Sequence, residues 1–428
     1  MKNTVYQITE FGSFNTGTEK PGYTLLPETT FAQLEDFILS NRNRSADAVE
    51  LMGFSARKGV GKVITAKNYV GIISMKDGVT IEILPKICSK TETDTGRVKR
   101  LVIDMLKTLR NAPYKSLQTA NIDVERMSIF EVFIRMFLDE VFLIVKRGIK
   151  SGYETVTSNE AVCKGKILFS QQVIHNYAHK ERTYVAYDEF DANRPENRLI
   201  KSTLLYLYRR TNLTKSKNDI RVLLGAFNEA EPSADIAKDF SACIPDRNMK
   251  DYERVLLWCG IFLMGKSFTS FAGSSVAFAL LFPMETLYES FIAARLRSVL
   301  DPHVFSMTAQ DKTYHLFDFP GKSFLMKPDI AIKRKADGAF FICDTKWKVL
   351  SEDVPHYGIS QADMYQMYAY QKKYSAKNIT LLYPMTDKVS KQNIEYRSDD
   401  GTVVRVRFID LFNLKESLDG LVREFALA

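Results

Sequence analysis

The stretch Lys327-Pro328-Asp329-Ile330-Ala331-Ile332-Lys333-Arg334-Lys335-Ala336-Asp337-Gly338-Ala339-Phe340-Phe341-Ile342-Cys343-Asp344-Thr345-Lys346 reads as two adjacent strands and their turn. Ile330 to Ile332 is apolar, Lys333-Arg334 turns basic, and Asp337-Gly338 is the strongest short hairpin signal. Residues 339–349 form the second, mostly apolar strand. Side chains two apart share one face of a strand, so Asp344 and Lys346 point the same way. Asp329 opens the partner strand and lies beside them. Two neighbouring carboxylates repel unless a cation sits between them. Oxygen ligands of this kind suit a hard divalent ion such as Mg²⁺. The competing reading is a surface hairpin with an ordinary acid–lysine pair. The apolar run 339–343 weighs against it, because burying ions is costly unless they are paired or metal-bound.

Two flanking helices carry further candidates. Residues 283–300 read as an amphipathic helix with Pro283 in its first turn. Tyr288, Ile292, Leu296 and Val299 form its apolar stripe. Glu289 falls at the edge of that stripe and needs a partner, which a metal or Lys346 could supply. Glu285 is explained by the preference for anions in a first turn. Residues 360–374 form the second helix, where Gln366 and Tyr370 are four apart and share a face. Gln can bond a phosphate or a base edge, and Tyr can stack or bond a phosphate. Tyr365, Met367 and Tyr368 read as core.

Pro-Asp, a spacer, then Asp-x-Lys resembles the PD-(D/E)xK nuclease superfamily. The resemblance implies that Asp329 and Asp344 hold the metal, Mg²⁺ with Mn²⁺ as the alternative, together with the Thr345 backbone carbonyl. Lys346 would then orient the attacking water or neutralise charge in the transition state. The Gln366-x-x-x-Tyr370 spacing is similar to a motif after the catalytic strand of RecB-like nucleases. A larger combination is more restrictive. Phe282 through Glu289, Asp329, Asp344-Thr345-Lys346, Asp363 through Tyr370 and Leu381-Leu382-Tyr383-Pro384 occur in the order of the McrC family. Ala66-Lys67-Asn68-Tyr69-Val70-Gly71 and Ile81 through Ile87 resemble that family's N-terminal domain. Lys164-Gly165-Lys166-Ile167 and Asp191 through Lys201 resemble its middle region. The resemblance implies a DNA endonuclease subunit of a modification-dependent restriction system. Its N-terminal part would dock on a McrB-like AAA+ GTPase hexamer and stimulate it, and its C-terminal part would cut double-stranded, modified DNA. Two other readings remain: a non-catalytic adaptor and activator of the ring, and an autonomous RecB-like repair nuclease.

Composition sets the outer limits. A chain of 428 residues suggests two or three domains. We expect an α+β multidomain protein: a β-rich, partner-docking N-terminal domain over 1–92, a mostly helical middle region over 93–278, and a nuclease core with a mixed sheet flanked by helices over 279–428. A net charge of +8 favours a polyanionic partner. No apolar run of 18 residues points to a membrane span, and the N-terminus lacks a signal-peptide core. The five cysteines, Cys88, Cys163, Cys243, Cys259 and Cys343, are scattered without a C-x-x-C pair. A reduced, cytoplasmic protein without a zinc framework is expected. His175 and His179 are four apart but lack a third ligand, and read as a surface coincidence. Arg57-Lys58-Gly59-Val60-Gly61-Lys62 invites comparison with a phosphate-binding loop, yet the first glycine is missing and Val63 replaces the hydroxyl residue. Nucleotide binding by this chain is therefore rejected. A basic turn between strands remains, with Arg57, Lys58 and Lys62 as candidate contacts to the ring or to DNA.

Overall fold

The computed structural model describes residues 4–17, 19–42, 52–75, 78–86, 95–109, 127–243, 250–264, 276–390 and 393–427. Cys88 and the expected turn residues Lys76 and Asp77 lie outside them. The fold is α+β, with eleven α-helices and several sheets among the described residues. Contacts divide the chain into two compact units, residues 130–270 and residues 4–129 with 271–428. Expected boundaries at 92 and 278 do not coincide with that division. The reason is a strand, Val276–Pro283, that pairs antiparallel with Tyr69–Met75 and so joins early and late sequence in one sheet.

The larger unit holds three main sheets. One has the order Val5–Thr9, Thr80–Leu84, Tyr69–Met75, Val276–Pro283. Gly71 belongs there for steric reasons. Its φ is +136°, and a Cβ would stand 1.9 Å from the Leu280 carbonyl oxygen. A second sheet orders Tyr23–Leu25, Ser13–Asn15, Gly61–Ala66 and Met52–Arg57. The helix Glu28–Arg42 contributes Phe31, Leu34 and Phe37 to the buried cluster that also contains Phe14, Ile64, Ile73, Ile81 and Ile83.

The third sheet has six strands in the order Phe305–Ala309, Ile330–Arg334, Phe340–Thr345, Asn378–Pro384, Val403–Ile409, Asn393–Arg397. The expected hairpin is there: Ile330–Arg334 and Phe340–Thr345 pair antiparallel around Asp337-Gly338, with Gly338 at φ +74°. The second strand stops at Thr345 instead of continuing to 349. Phe340–Thr345 then pairs parallel with Asn378–Pro384, which requires a crossover. The helix Gln361–Tyr374 provides it. Ser360 caps that helix by accepting a hydrogen bond from the Asp363 N–H. All seven residues of Asn378–Pro384 are buried, as a strand covered on both faces requires. Met367, Tyr370 and Tyr374 of the crossover helix pack with Ile342, Ile379, Leu381, Val404 and Val406. Tyr365 and Tyr368, expected in the core, are instead exposed. They sit on the face turned away from the sheet, where Tyr368 bonds Asp400.

The smaller unit is built on the helices Ile129–Arg147, Pro195–Tyr208, Thr214–Ala226, Ile236–Ala242 and Lys250–Met264. Phe133, Phe137, Trp258 and Phe262 are buried together. Asn197 is fully buried; its Nδ2 donates to the carbonyls of Lys150 and Ala192, and its Oδ1 accepts from Tyr252. The middle-region signature around Asn197 therefore has a structural purpose. A three-stranded sheet of Gly152–Glu160, Thr183–Asp191 and Lys166–Ile167 interrupts the helices. Within an expected mostly helical region the strand Gly152–Glu160 was not foreseen, and Lys166–Ile167 supplies only two strand residues before the helix Phe169–Asn176. Among the described residues, no helix is long and apolar enough to cross a membrane.

Candidate active site

Asp329, Asp344, Thr345, Lys346, Glu289 and Gln366 all line one cleft of about 860 Å³. The hairpin explains the central group. Ile330 is paired with Cys343, so one further step of the antiparallel register sets Asp329 opposite Asp344. The Thr345 N–H and hydroxyl both donate to Asp329 Oδ2, at 2.8 and 2.6 Å. Lys346 extends the ladder by donating its N–H to the Leu382 carbonyl at 2.9 Å. Its side chain therefore keeps the face of Asp344, and Nζ stands 2.6 Å from Asp344 Oδ2. Asp344 Oδ2 is buried, and this ion pair is its close polar contact.

Electrostatics follow from this packing. Asp344 is 1 % exposed, and burial first, then the facing Asp329, push its carboxyl up to about 7. Lys346 opposes that shift without cancelling it. Burial alone would lower the Lys346 ammonium; Asp344, with Asp363 and Asp329, outweighs it and holds the amine above its usual value. Lys346 Nζ also donates to Gln366 Oε1 at 3.2 Å and lies 3.5 Å from Asp363 Oδ1. Gln366 Nε2 in turn donates to the Tyr370 hydroxyl at 2.8 Å. The expected pairing of Gln366 with Tyr370 along one helix face is present, and both stand behind the lysine.

Glu289 accepts from Gln310 Nε2 at 2.8 Å, and the Gln310 N–H donates to the Asp329 carbonyl at 2.8 Å. Gln310 thus ties the 284–299 helix to the start of the acidic strand. It takes φ +52°, a costly conformation for a side-chain-bearing residue. Among the described residues, no three His, Cys, Asp or Glu side chains gather closely enough to hold a metal between them. The pair Asp329 and Asp344 still fits a hard cation. Both are oxygen donors, they face one another across the hairpin, and the cleft lining contains neither cysteine nor histidine.

Several cleft residues escaped the sequence reading as site residues. Phe11, Lys67, Asn68, Trp347, Lys348, Ser360 and Asp363 all line the cleft. Asn68 Nδ2 donates to Glu285 at 3.0 Å, so Glu285 also faces this space. Asp363, three residues before Gln366 on the same helix, and Lys67 and Asn68 lay within the stretches that resemble the McrC family, but none was read as a site residue. Arg57, Lys58 and Lys62 are not part of the cleft lining. They occupy the exposed hairpin between Met52–Arg57 and Gly61–Ala66, as expected of a basic turn. Arg57 donates to the Tyr23 hydroxyl at 2.9 Å, and Lys62 pairs with Glu35 at 2.8 Å. His175 meets Gln171 and stacks on Tyr184, while His179 meets Glu181. Neither shares a ligand set.

Residues 64–384 match the family model of the McrBC 5-methylcytosine restriction system component. No curated protein matches the chain. A chain of the refined half-complex from a tetradecameric assembly of Thermococcus gammatolerans McrB AAA+ hexamers with bound McrC superposes with a TM-score of 0.67 at 20% identity, over 98% of this chain and 100% of that one. A chain of the cryo-EM structure of the Thermococcus gammatolerans McrBC complex aligns with a TM-score of 0.48 at 21% identity, over 70% of this chain and 88% of that one.

Proposed function

Because the chain belongs to the McrBC 5-methylcytosine restriction system component family, we propose that it is that system's DNA endonuclease subunit, with a PD-(D/E)xK core over the six-stranded sheet. The observation that carries this reading is Asp344: a buried carboxylate on the wall of an open cleft, faced by a second acid and paired with a lysine two residues on. Such an arrangement destabilises a fold unless it does something else.

Asp329 and Asp344, with the Thr345 carbonyl, would hold Mg²⁺ or Mn²⁺. The bound ion would polarise a phosphodiester oxygen and acidify a water. Lys346 supplies positive charge on the same face, where it stabilises negative charge developing on the phosphate. Asp344 and Asp363 keep the ammonium protonated, and Gln366 holds it by a hydrogen bond at the cleft. Glu289, fixed by Gln310, bounds the cleft on the helix side. The net charge of +8 favours the polyanionic substrate. A McrB-like AAA+ GTPase hexamer is the proposed partner, the substrate is modified double-stranded DNA, and the compartment is the cytoplasm.

The test is a cleavage assay on methylated and unmodified DNA, with and without the partner ring, GTP and Mg²⁺. Cutting that requires all three and prefers methylated DNA is expected. Wild-type protein that stimulates GTP hydrolysis but never cuts would sink the nuclease assignment.

A further inference from the structure

Resting on the nuclease reading, we infer that Glu10, on the N-terminal sheet, is a positioning residue for Lys346 and acts through Trp347. The candidate lysine is the last residue held by the sheet ladder, through its N–H to Leu382. Immediately afterwards the backbone folds on itself, with the Lys348 N–H donating to the Lys346 carbonyl at 3.1 Å. What fixes residue 347 therefore fixes the direction in which Lys346 leaves the strand.

Trp347 is fixed from two sides. Its indole N–H, a donor with no acceptor function, reaches Glu10 Oε1 at 2.9 Å and Oε2 at 3.1 Å. Its ring packs on Tyr288, centroids 5.3 Å apart, and Tyr288 is buried on the helix that carries Glu285 and Glu289. Glu10 is itself immobilised. It is 2% exposed, its Oε1 accepts the Lys86 N–H at 2.8 Å, and its own N–H donates to Leu84. A fully buried carboxylate is an expensive way to hold an indole in place if packing were the sole purpose.

The residues around Glu10 point the same way. Phe11, held at φ +62° and more than half exposed, lines the cleft, as do Lys67 and Asn68 from the neighbouring strand end. The Asn68 carbonyl accepts the Met284 N–H at 3.0 Å, and its amide bonds Glu285. One wall of the cleft is thus made by residues more than 260 positions before Asp329 and Asp344. The N-terminal sheet is a component of the site.

Glu10→Ala, Glu10→Gln, Trp347→Phe and the Glu10→Ala/Trp347→Phe double variant test this, each assayed with the partner ring, GTP and Mg²⁺. Glu10→Ala should lower kcat for DNA cleavage about ten- to a hundredfold, the scale of an ångström-level misplacement, with KM for DNA unchanged. Glu10→Gln should recover most of that loss, because Oε1 already takes the shorter of the two indole contacts and the Lys86 bond. Trp347→Phe should match Glu10→Ala, and the double variant should be no worse than either. Wild-type kcat in Glu10→Ala, failure of Gln to recover activity, or additive losses in the double variant would each overturn the inference. Asp344→Asn assayed alongside separates the two readings. If it still cuts, the nuclease assignment falls; if it is dead while Glu10→Ala is normal, only the positioning role falls.

Discussion

Two acid–lysine pairs in the larger unit, each with a buried acid, differ in a way that separates structure from chemistry. Glu82 and Lys99 form one, with Nζ and Oε2 3.0 Å apart and both side chains at most 8% exposed. Glu82 Oε2 also accepts from Gln7 at 2.7 Å, its Oε1 accepts the Ile129 N–H at 2.7 Å, and Lys99 donates to the Met127 carbonyl. That pair is closed: both carboxylate oxygens have partners, and no second acid crowds them among the contacts described. Asp344 and Lys346 are closer together, yet Asp329 faces Asp344 across the hairpin and repels it. Proximity of opposite charges is common to both. What distinguishes the second pair is the crowding second acid, and both acids face an open cleft.

The comparison can be broken most sharply at Asp344. Asp344→Ala should reduce Mg²⁺-dependent DNA cutting by at least about a thousandfold while GTPase stimulation persists. Cleavage at the wild-type rate would leave the pair as structural as its counterpart. Glu82→Ala should do the converse. Removing one partner of a closed buried pair costs about 3–5 kcal/mol, read as a fall in the denaturation midpoint. Any enzyme that remains folded should cut normally.

A subtler contrast lies in pH. Asp344 has its carboxyl raised from 3.8 to about 7, so the folded state binds a proton that the unfolded chain releases. Its favourable contribution is complete below about pH 4 and is lost as pH rises through about 7. Asp344→Asn should therefore stabilise the protein at pH 8 by on the order of 2–4 kcal/mol and leave it nearly unchanged at pH 4. Equal melting shifts at both pH values would contradict the frustrated-pair description. Asp363→Asn is expected to have a smaller effect, about a tenfold loss of cleavage with DNA affinity retained, since Asp363 reaches Lys346 only at 3.5 Å. The smallest effect belongs to the basic hairpin. Arg57→Ala should change stability by no more than about 0.5 kcal/mol, because its bond to Tyr23 is exposed. If Arg57→Ala with Lys58→Ala leaves GTP hydrolysis and cleavage untouched, the proposed contact with the ring or DNA is excluded.

Legibility in the sequence tracked the range of each interaction. Asp329, Asp344 and Lys346 lie on one hairpin, and the two-residue period of a strand sufficed to bring them together. Gln366 and Tyr370 lie four apart on one helix, so their shared face followed from spacing, whereas the hydrogen bond between them and the burial of Tyr370 did not. Glu10 and Phe11 gave no warning, and Asn68 only as part of the 66–71 signature, because nothing local links them to a hairpin hundreds of residues later. Gln310 was hidden for another reason: its φ of +52° is a backbone state that a glutamine does not announce. The strand Gly152–Glu160 lacks the inward-facing apolar rhythm on which strand recognition relies. Its Tyr153 is 77% exposed against Phe190 of the partner strand. Tyr365 and Tyr368 misled in the opposite sense, since aromatic residues on an amphipathic helix need not belong to its buried face.

Gly71 has a bearing on how such proteins could be dissected or recombined. Where it crosses Leu280 the two backbones meet with no space for even a methyl group. The strand on the far side runs straight into the helix of Glu285 and Glu289. A fragment beginning near 279 would carry the acids and the lysine but would lack the β-ladder neighbour that its first segment was shaped to meet. Swapping the cutting half alone between relatives should give inert hybrids, whereas transplanting residues 4–129 together with 276–427 would keep that seam intact.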